Sequence, residues 1–228
     1  MINFKNFYGV TNDGGTIFSL TSGDIFNSLY SFTGLLDFEF PNIGLILMDG
    51  IFYGTTGSTI FKFTLSIICF DESTQILSLI NGKEIYVPIS ELTRKNYIKV
   101  YKYGYLKIQN IGYNTMINNH DNWQNCMYKL KKTSCNYLTD DLIVTGGHSV
   151  CVDSLTQTQL MLQSKWWING ISQIEDKYRL LSVFDDRFEK ITERKKFKYY
   201  HLTIEGEKER YGIYANGILS ESCTKKFK

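Results

Sequence analysis

The sequence predicts an all-β protein, and three observations carry that prediction. Tyr and Phe are abundant, at 16 and 15 of 228 residues, and Pro is down to 2. Aromatic and β-branched side chains suit a pleated surface and lower helix propensity. Short runs that alternate apolar and polar residues recur along the chain. Between them stand turn signals, including Asn81-Gly82 and Asn216-Gly217, the dipeptide that best fits a two-residue hairpin turn. Many short strands with frequent turns describe a compact all-β fold.

Taken in order, residues 1–68 hold an internal repeat. Phe7-Tyr8-Gly9-Val10-Thr11 returns as Phe52-Tyr53-Gly54-Thr55-Thr56, and Gly15-Thr16-Ile17-Phe18 returns as Ser58-Thr59-Ile60-Phe61. Each copy reads as a hairpin, with a turn that is two residues shorter in the second. A third strand is expected over 28–32. The pattern resembles the Tyr-Gly-Thr-Thr…Gly-Thr-Ile-Phe repeats of long tandem arrays. Such repeats bury their apolar faces on neighbours, and three or more are usual. Residues 1–68 therefore read as the truncated end of an array, or as a small β-layer packed on the domain that begins at Cys69.

From Cys69 onward almost every element reads as a strand. Residues 74–79 and 83–87 flank Asn81-Gly82 as a hairpin, 87–92 form a turn, and 97–103 with 105–113 form a second hairpin around Gly104. Residues 116–125 are polar and read as a loop. Short strands are expected at 127–131, 142–144 and 178–183. The one helix expected is 154–167, and the charge run 190–198 reads as a solvated loop. Strands at 199–205 and 211–219 close the chain.

Composition sets limits on function. The apolar fraction, 43%, allows a sizeable core, and a net charge of +2 gives no support for a nucleic-acid or anionic-membrane partner. Five irregularly spaced cysteines and no visible signal peptide argue for reduced thiols in a soluble intracellular protein. No apolar run approaches the ~20 residues needed to span a bilayer.

The residues able to do chemistry fall in three places. Ile67-Ile68-Cys69-Phe70-Asp71-Glu72 sets a cysteine between an apolar pair and an acidic turn. A thiol there can attack the carbonyl of Ile68 through a five-membered ring, turning the peptide into a thioester and freeing the amine of Cys69. That step needs a nearby base, a donor for the oxyanion and an acid for the departing nitrogen. Thr145-Gly146-Gly147-His148 comes next, then Tyr199-Tyr200-His201-Leu202-Thr203, and last Ala215-Asn216-Gly217-Ile218-Leu219-Ser220-Glu221-Ser222-Cys223. Taken singly, a buried core cysteine, a structural histidine and a surface histidine are the alternatives for Cys69, His148 and His201.

In this order the pieces resemble the Hint domain, the self-cleaving module of hedgehog proteins and inteins, over residues 69–223. The resemblance implies a horseshoe-like disc of short strands, with residues 1–68 as the segment released and 224–228 as a tail. It also implies that His148 serves as acid on the scissile nitrogen, that Thr145 orients or polarises the bond, and that His201, where the family often has Asp, tunes a nucleophile. The ending departs from the inteins. Ser222 stands where an Asn would cyclise, and a hydroxyl cannot form a succinimide; Glu221 replaces the penultimate His. The expectation is therefore cleavage without full splicing: a thioester at Cys69, resolved by water or a small nucleophile, with Cys223 available as an acyl acceptor. The substrate is the chain's own N-terminal segment, and no cofactor or metal is implied. Three rivals compete with this reading. One is a zinc site from Cys126, Cys135, His148 and Cys151. Another is an inactive Hint-like scaffold displaying the β-repeats for binding. The third is a cysteine hydrolase acting in trans.

Overall fold

A computed structural model describes residues 7–11, 15–20, 26–31, 44–48, 51–56, 60–64, 68–164 and 171–224 of the chain. The chain divides into two compact units, Met1–Leu65 with Lys226–Lys228, and Ser66–Lys225. Among the described residues every strand pairing is antiparallel, and one α-helix is present. The protein is all-β, and no described helix is long and apolar enough to cross a membrane.

The first unit contains two three-stranded meanders. In one, β1 (Phe7–Val10) pairs with β2 (Thr16–Leu20), and β2 with β3 (Phe26–Ser31). In the other, β4 (Ile46–Met48), β5 (Ile51–Thr55) and β6 (Ile60–Thr64) pair in sequence order. The repeat is visible in the register, since Gly9 faces Phe18 and Gly54 faces Phe61. Each glycine lies under the ring of its facing Phe, where a Cβ would collide. The two-residue difference between the copies is thus confined to the turn. Tyr8 and Phe52, from the two copies, meet with ring centroids 4.6 Å apart. Strand β4 has no counterpart in the expected elements, and β3 begins two residues before the expected position.

The second unit is built on one sheet of fourteen strands. Its strands in chain order are β7 (Phe70–Asp71), β8 (Gln75–Ile80), β9 (Lys83–Pro88), β10 (Tyr97–Val100), β11 (Gly104–Ile117), β12 (Met127–Leu130) and β13 (Leu142–Thr145). Then come β14 (Ser149–Val152), β15 (Gln173–Ile174), β16 (Lys177–Leu181), β17 (Phe188–Lys190), β18 (Lys196–Ile204), β19 (Gly212–Ala215) and β20 (Ile218–Glu221). Across the sheet they run β15-β16-β14-β20-β19-β8-β10-β11-β18-β7-β13-β12-β17, with β9 added to β8. Alternation sets the faces: in β8, Ile76 and Ser78 are fully buried while their neighbours are half-exposed. The core gathers Phe70, Ile76, Ile98, Val144, Leu202 and Ile213 from six different strands.

Several boundaries differ from expectation. Strand β11 continues to Ile117, so the expected loop at 116–125 begins two residues late; it holds a short 3-10 turn at Trp123–Asn125. The extension is stabilised across the ribbon by β18, which pairs from Ile117↔Lys196 to Ile108↔Ile204. That pairing also draws Lys196, Phe197 and Lys198 out of the expected charged loop, and Lys190 ends β17, so that only 191–195 remain outside strands, with 192–195 exposed. The helix α1 is shorter than expected, Gln157–Ser164; residues 165–167 lie outside the described residues. Its start is fixed by a reciprocal cap, in which Gln159 N–H donates to Thr156 Oγ1 at 3.2 Å and Thr156 N–H donates to Gln159 Oε1 at 3.0 Å.

Candidate functional site

The sheet order brings the two ends of the second unit together. Strand β7 begins one residue after Cys69 and lies between β13 and β18. Strand β13 ends at Thr145, and a tight turn through Gly146 and His148 leads into β14, which pairs with β20 at Val150↔Ser220. Strand β20 ends at Glu221, two residues before Cys223.

The turn has little freedom. Gly146 N–H donates to Cys126 O at 2.9 Å, His148 N–H donates to Thr145 O at 2.9 Å, and Ser182 Oγ–H donates to the same Thr145 carbonyl at 2.8 Å. A Cβ on Gly146 would run into the carbonyl oxygen of Trp123, so only glycine allows this approach. On the other side of Cys69, the acidic turn is an Asx turn: Ser73 N–H and Oγ–H both donate to Asp71 Oδ1, at 3.0 and 2.6 Å.

Around the Ile68–Cys69 peptide three predicted residues converge. Cys69 N–H donates to Thr145 Oγ1 at 3.2 Å, and Thr145 N–H donates back to Cys69 O at 3.2 Å. Cys223 Sγ–H donates to the carbonyl oxygen of Ile68 at 2.8 Å. The end of the chain is held there by backbone bonds, Cys223 N–H to Leu202 O at 3.0 Å and Ser222 N–H to Tyr211 O at 2.7 Å. Both cysteines and Ile68 are buried. Burial pushes the Cys69 thiol well above its ordinary range, and the adjacent Cys223 pushes it the same way. Burial pushes Cys223 up to about 12.

His148 is fully buried, and among the described residues neither ring nitrogen has a hydrogen-bond partner. Its ring packs edge-on against Phe70, centroids 4.2 Å apart. Burial lowers its pKa to about 4, against an opposing pull from Glu221. The ring is therefore neutral at physiological pH and can accept a proton on one nitrogen.

His201 is half-buried in β18. Tyr200 and Leu202 on either side belong to the core, which leaves His201 on the other face. The β7–β18 ladder ends at Tyr200↔Phe70, and continuing that register by one residue sets His201 across from Cys69. No hydrogen bond joins the two among the described residues. Burial lowers the His201 pKa.

Sequence reasoning missed the surroundings of Glu221. Its carboxylate is fully buried, accepts from Ser149 N–H at 2.8 Å, and is paired by Arg179 Nη2 at 2.6 Å and Arg210 Nη1 at 2.8 Å. Its pKa is about 2: burial would raise it, but the two guanidinium groups outweigh that. The signal available was an acidic residue inside an otherwise uncharged ending. The rival zinc set is not assembled, since among the described residues no three His, Cys, Asp or Glu side chains converge to hold an ion. Cys126, the first of that set, instead donates to the backbone carbonyl of Ile191 at 3.5 Å. Compared with known proteins, the chain matches no protein-family model, and a search of curated proteins finds no match.

Proposed function

We propose that this protein cleaves its own backbone between Ile68 and Cys69, as a Hint-type domain without full splicing. The observation that carries the reading is the Cys223 thiol on the Ile68 carbonyl, a contact between residues 155 apart in sequence at the one peptide that Cys69 can attack. Cys69 Sγ bonds to the Ile68 carbonyl carbon, the C–N bond to Cys69 breaks, and the thiol proton ends on the freed amine. His148, neutral at rest, takes that proton and returns it to the nitrogen. Thr145 Oγ1 fixes the direction of the Cys69 N–H while the bond breaks, and the Cys223 S–H polarises the carbonyl. Cys223 Sγ then attacks the same carbon, and Cys69 leaves as a thiol. Because Ser222 cannot cyclise, the acyl group stays on Cys223 until water or a small nucleophile removes it. The horseshoe of the Hint family, with both ends at its centre, is the arrangement that this reading implies for the second unit, and His201 beside Cys69 would accept or tune its thiol proton.

The proton count gives a further expectation. The resting thiol–imidazole pair and the reactive thiolate–imidazolium pair hold the same number of protons. The rate should therefore be flat from above the His148 pKa, about 4, to the raised pKa of Cys69.

The test is intact mass over time, with and without hydroxylamine. The expected result is scission at Ile68–Cys69, trapped as a hydroxamate of residues 1–68, and abolished in Cys69→Ala. Cys223→Ala should retain hydroxylamine-dependent scission and lose the branched species. A wild-type chain that stays intact with hydroxylamine present overturns the proposal and leaves an inactive scaffold displaying its repeats.

A further inference from the structure

Glu221 occupies an unusual position. A carboxylate with no solvent exposure costs several kcal/mol to desolvate, and two guanidinium groups plus a backbone N–H are spent on holding it. Its partners come from three separate segments. Ser149 follows His148 directly at the start of β14, Arg179 lies in β16 opposite Cys151, and Arg210 stands in the loop before β19. The carboxylate is thus the point at which the end of β20 is pinned to the 145–148 turn.

We propose that Glu221 is a positioning residue of the cleavage reaction: its carboxylate, fixed by Arg179 and Arg210, locks the end of β20 against the turn that carries His148 and so sets Cys223 on the Ile68 carbonyl. This rests on the self-cleavage reading above. The chain from carboxylate to sulfur is short. From Glu221 the backbone runs through Ser222, whose Oγ accepts from Tyr211 N–H at 2.9 Å, to Cys223. A shift of the strand end by one residue would turn Cys223 to the opposite face.

The same carboxylate also sets the charge at His148. The titratable and charged groups facing His148 are Glu221 from β20, Arg179 from β16 and Arg210 from the loop before β19. Cys151 from β14 and Cys223 feel the carboxylate in turn. With the two arginines left unopposed, His148 would be harder still to protonate, and the imidazolium that returns the proton to the leaving nitrogen would be rarer. An acid-side device of this kind suits a chain that carries Glu at the position where a second imidazole is missing.

The experiment compares Glu221→Gln, Glu221→Asp and Arg210→Gln, each made in both the wild-type and the Cys69→Ala chain. Arg210 is partly exposed, so Arg210→Gln is the variant that folds if Glu221→Gln does not. In the uncleavable chain, Cys223 alkylation by iodoacetamide, read by peptide mass, should rise about ten-fold or more in Glu221→Gln as the strand end opens. The His148 NMR titration should move down by about one unit. In the cleavable chain the acid limb of the rate should move down with it, and transfer to Cys223 should fall more than hydroxylamine-trapped scission. Glu221→Asp, which keeps the charge, should restore the His148 titration, and Arg210→Gln should give a smaller rise in alkylation. Unchanged alkylation and an unchanged His148 titration in Glu221→Gln and Arg210→Gln, beside a wild-type chain that cleaves, would overturn the proposal. A wild-type chain that never cleaves fails the reading on which it rests, and alkylation in the Cys69→Ala chain still decides whether Glu221 holds Cys223.

Discussion

The buried ring of His148 ties stability to pH. Its pKa is 6.5 in the unfolded chain and about 4 in the fold, because burial disfavours the imidazolium. As pH falls below 6.5 the unfolded chain takes up a proton that the native ring refuses, so the stabilisation present above 6.5 is lost as pH approaches 4. The loss reaches about 3 kcal/mol at about 1.4 kcal/mol per unit. Glu221 acts lower. Its pKa of about 2 against 4.5 gives stability that is intact above 4.5 and lost as pH falls through 2. His201, also lowered by burial, adds to the His148 window. Urea unfolding at pH 7 and pH 5 should therefore show a fall in midpoint that is clearly smaller in His148→Leu; equal falls would mean that water or a side chain solvates the ring. Cys69, Thr145, His148 and Cys223 could be singled out in the sequence because the proposed chemistry needs those residue types in that order. Glu221 stood out only as an acidic residue that departs from the ending the resemblance implies. Its pairing depends on Arg179 in β16 and Arg210 in the loop before β19, and no local pattern announces a partner for a buried charge.

The two Asn-Gly turns show how one signal at the scale of an element can have two costs. Both turns place Asn and Gly at positive φ, 50° and 76° at Asn81 and Gly82, 45° and 92° at Asn216 and Gly217. Both were readable as hairpins from the dipeptide alone. A Cβ on Gly82 would meet open space, whereas one on Gly217 would collide with the backbone carbonyl of Tyr137. Asn216 is also a junction rather than a simple turn residue. Its Oδ1 accepts from Gln75 N–H and its Nδ2 donates to Asp141 O, each at 2.7 Å. Gly82→Ala should cost about 1 kcal/mol for the left-handed backbone. Gly217→Ala should cost about 3 kcal/mol or more, because backbone must move as well. Thermal melts of the pair measure the difference, and similar melting temperatures would refute the packing argument. Strand β4 was missed although the sequence carries its turn signal, Asp49-Gly50, directly between it and β5. The far end of β11 carries no such signal and is stabilised by β18, a partner distant in sequence. The Thr-x-x-Gln of Thr156–Gln159 played no part in expecting a helix over 154–167, yet it is the cap that marks where α1 starts.

At the scale of the whole second unit, the terminal hairpin β19–β20 joins two parts of the sheet, β14 with its neighbours on one side and β8 with β10 on the other. Strand β19 pairs with β8 at Ala215↔Ile76 and with β10 at Val100↔Ile213, while β20 pairs with β14. Beyond the strands, Asn216 N–H donates to Gln75 O and Thr139 N–H donates to Asn216 O, each at 2.9 Å. Residues 205–211 join this hairpin to β18, and 205–209 of them are exposed. Such a loop is where a protease cuts first, and a cut there leaves every one of these pairings in place. Trypsin at low dose should therefore nick at Lys208, and the two pieces should stay together through size-exclusion chromatography and separate only in denaturant. A nicked chain that keeps Cys223 protected from alkylation would show that the sheet, and not the covalent connection, holds that thiol at the Ile68 carbonyl. Pieces that part on nicking would mean that the hairpin docks too weakly to position it.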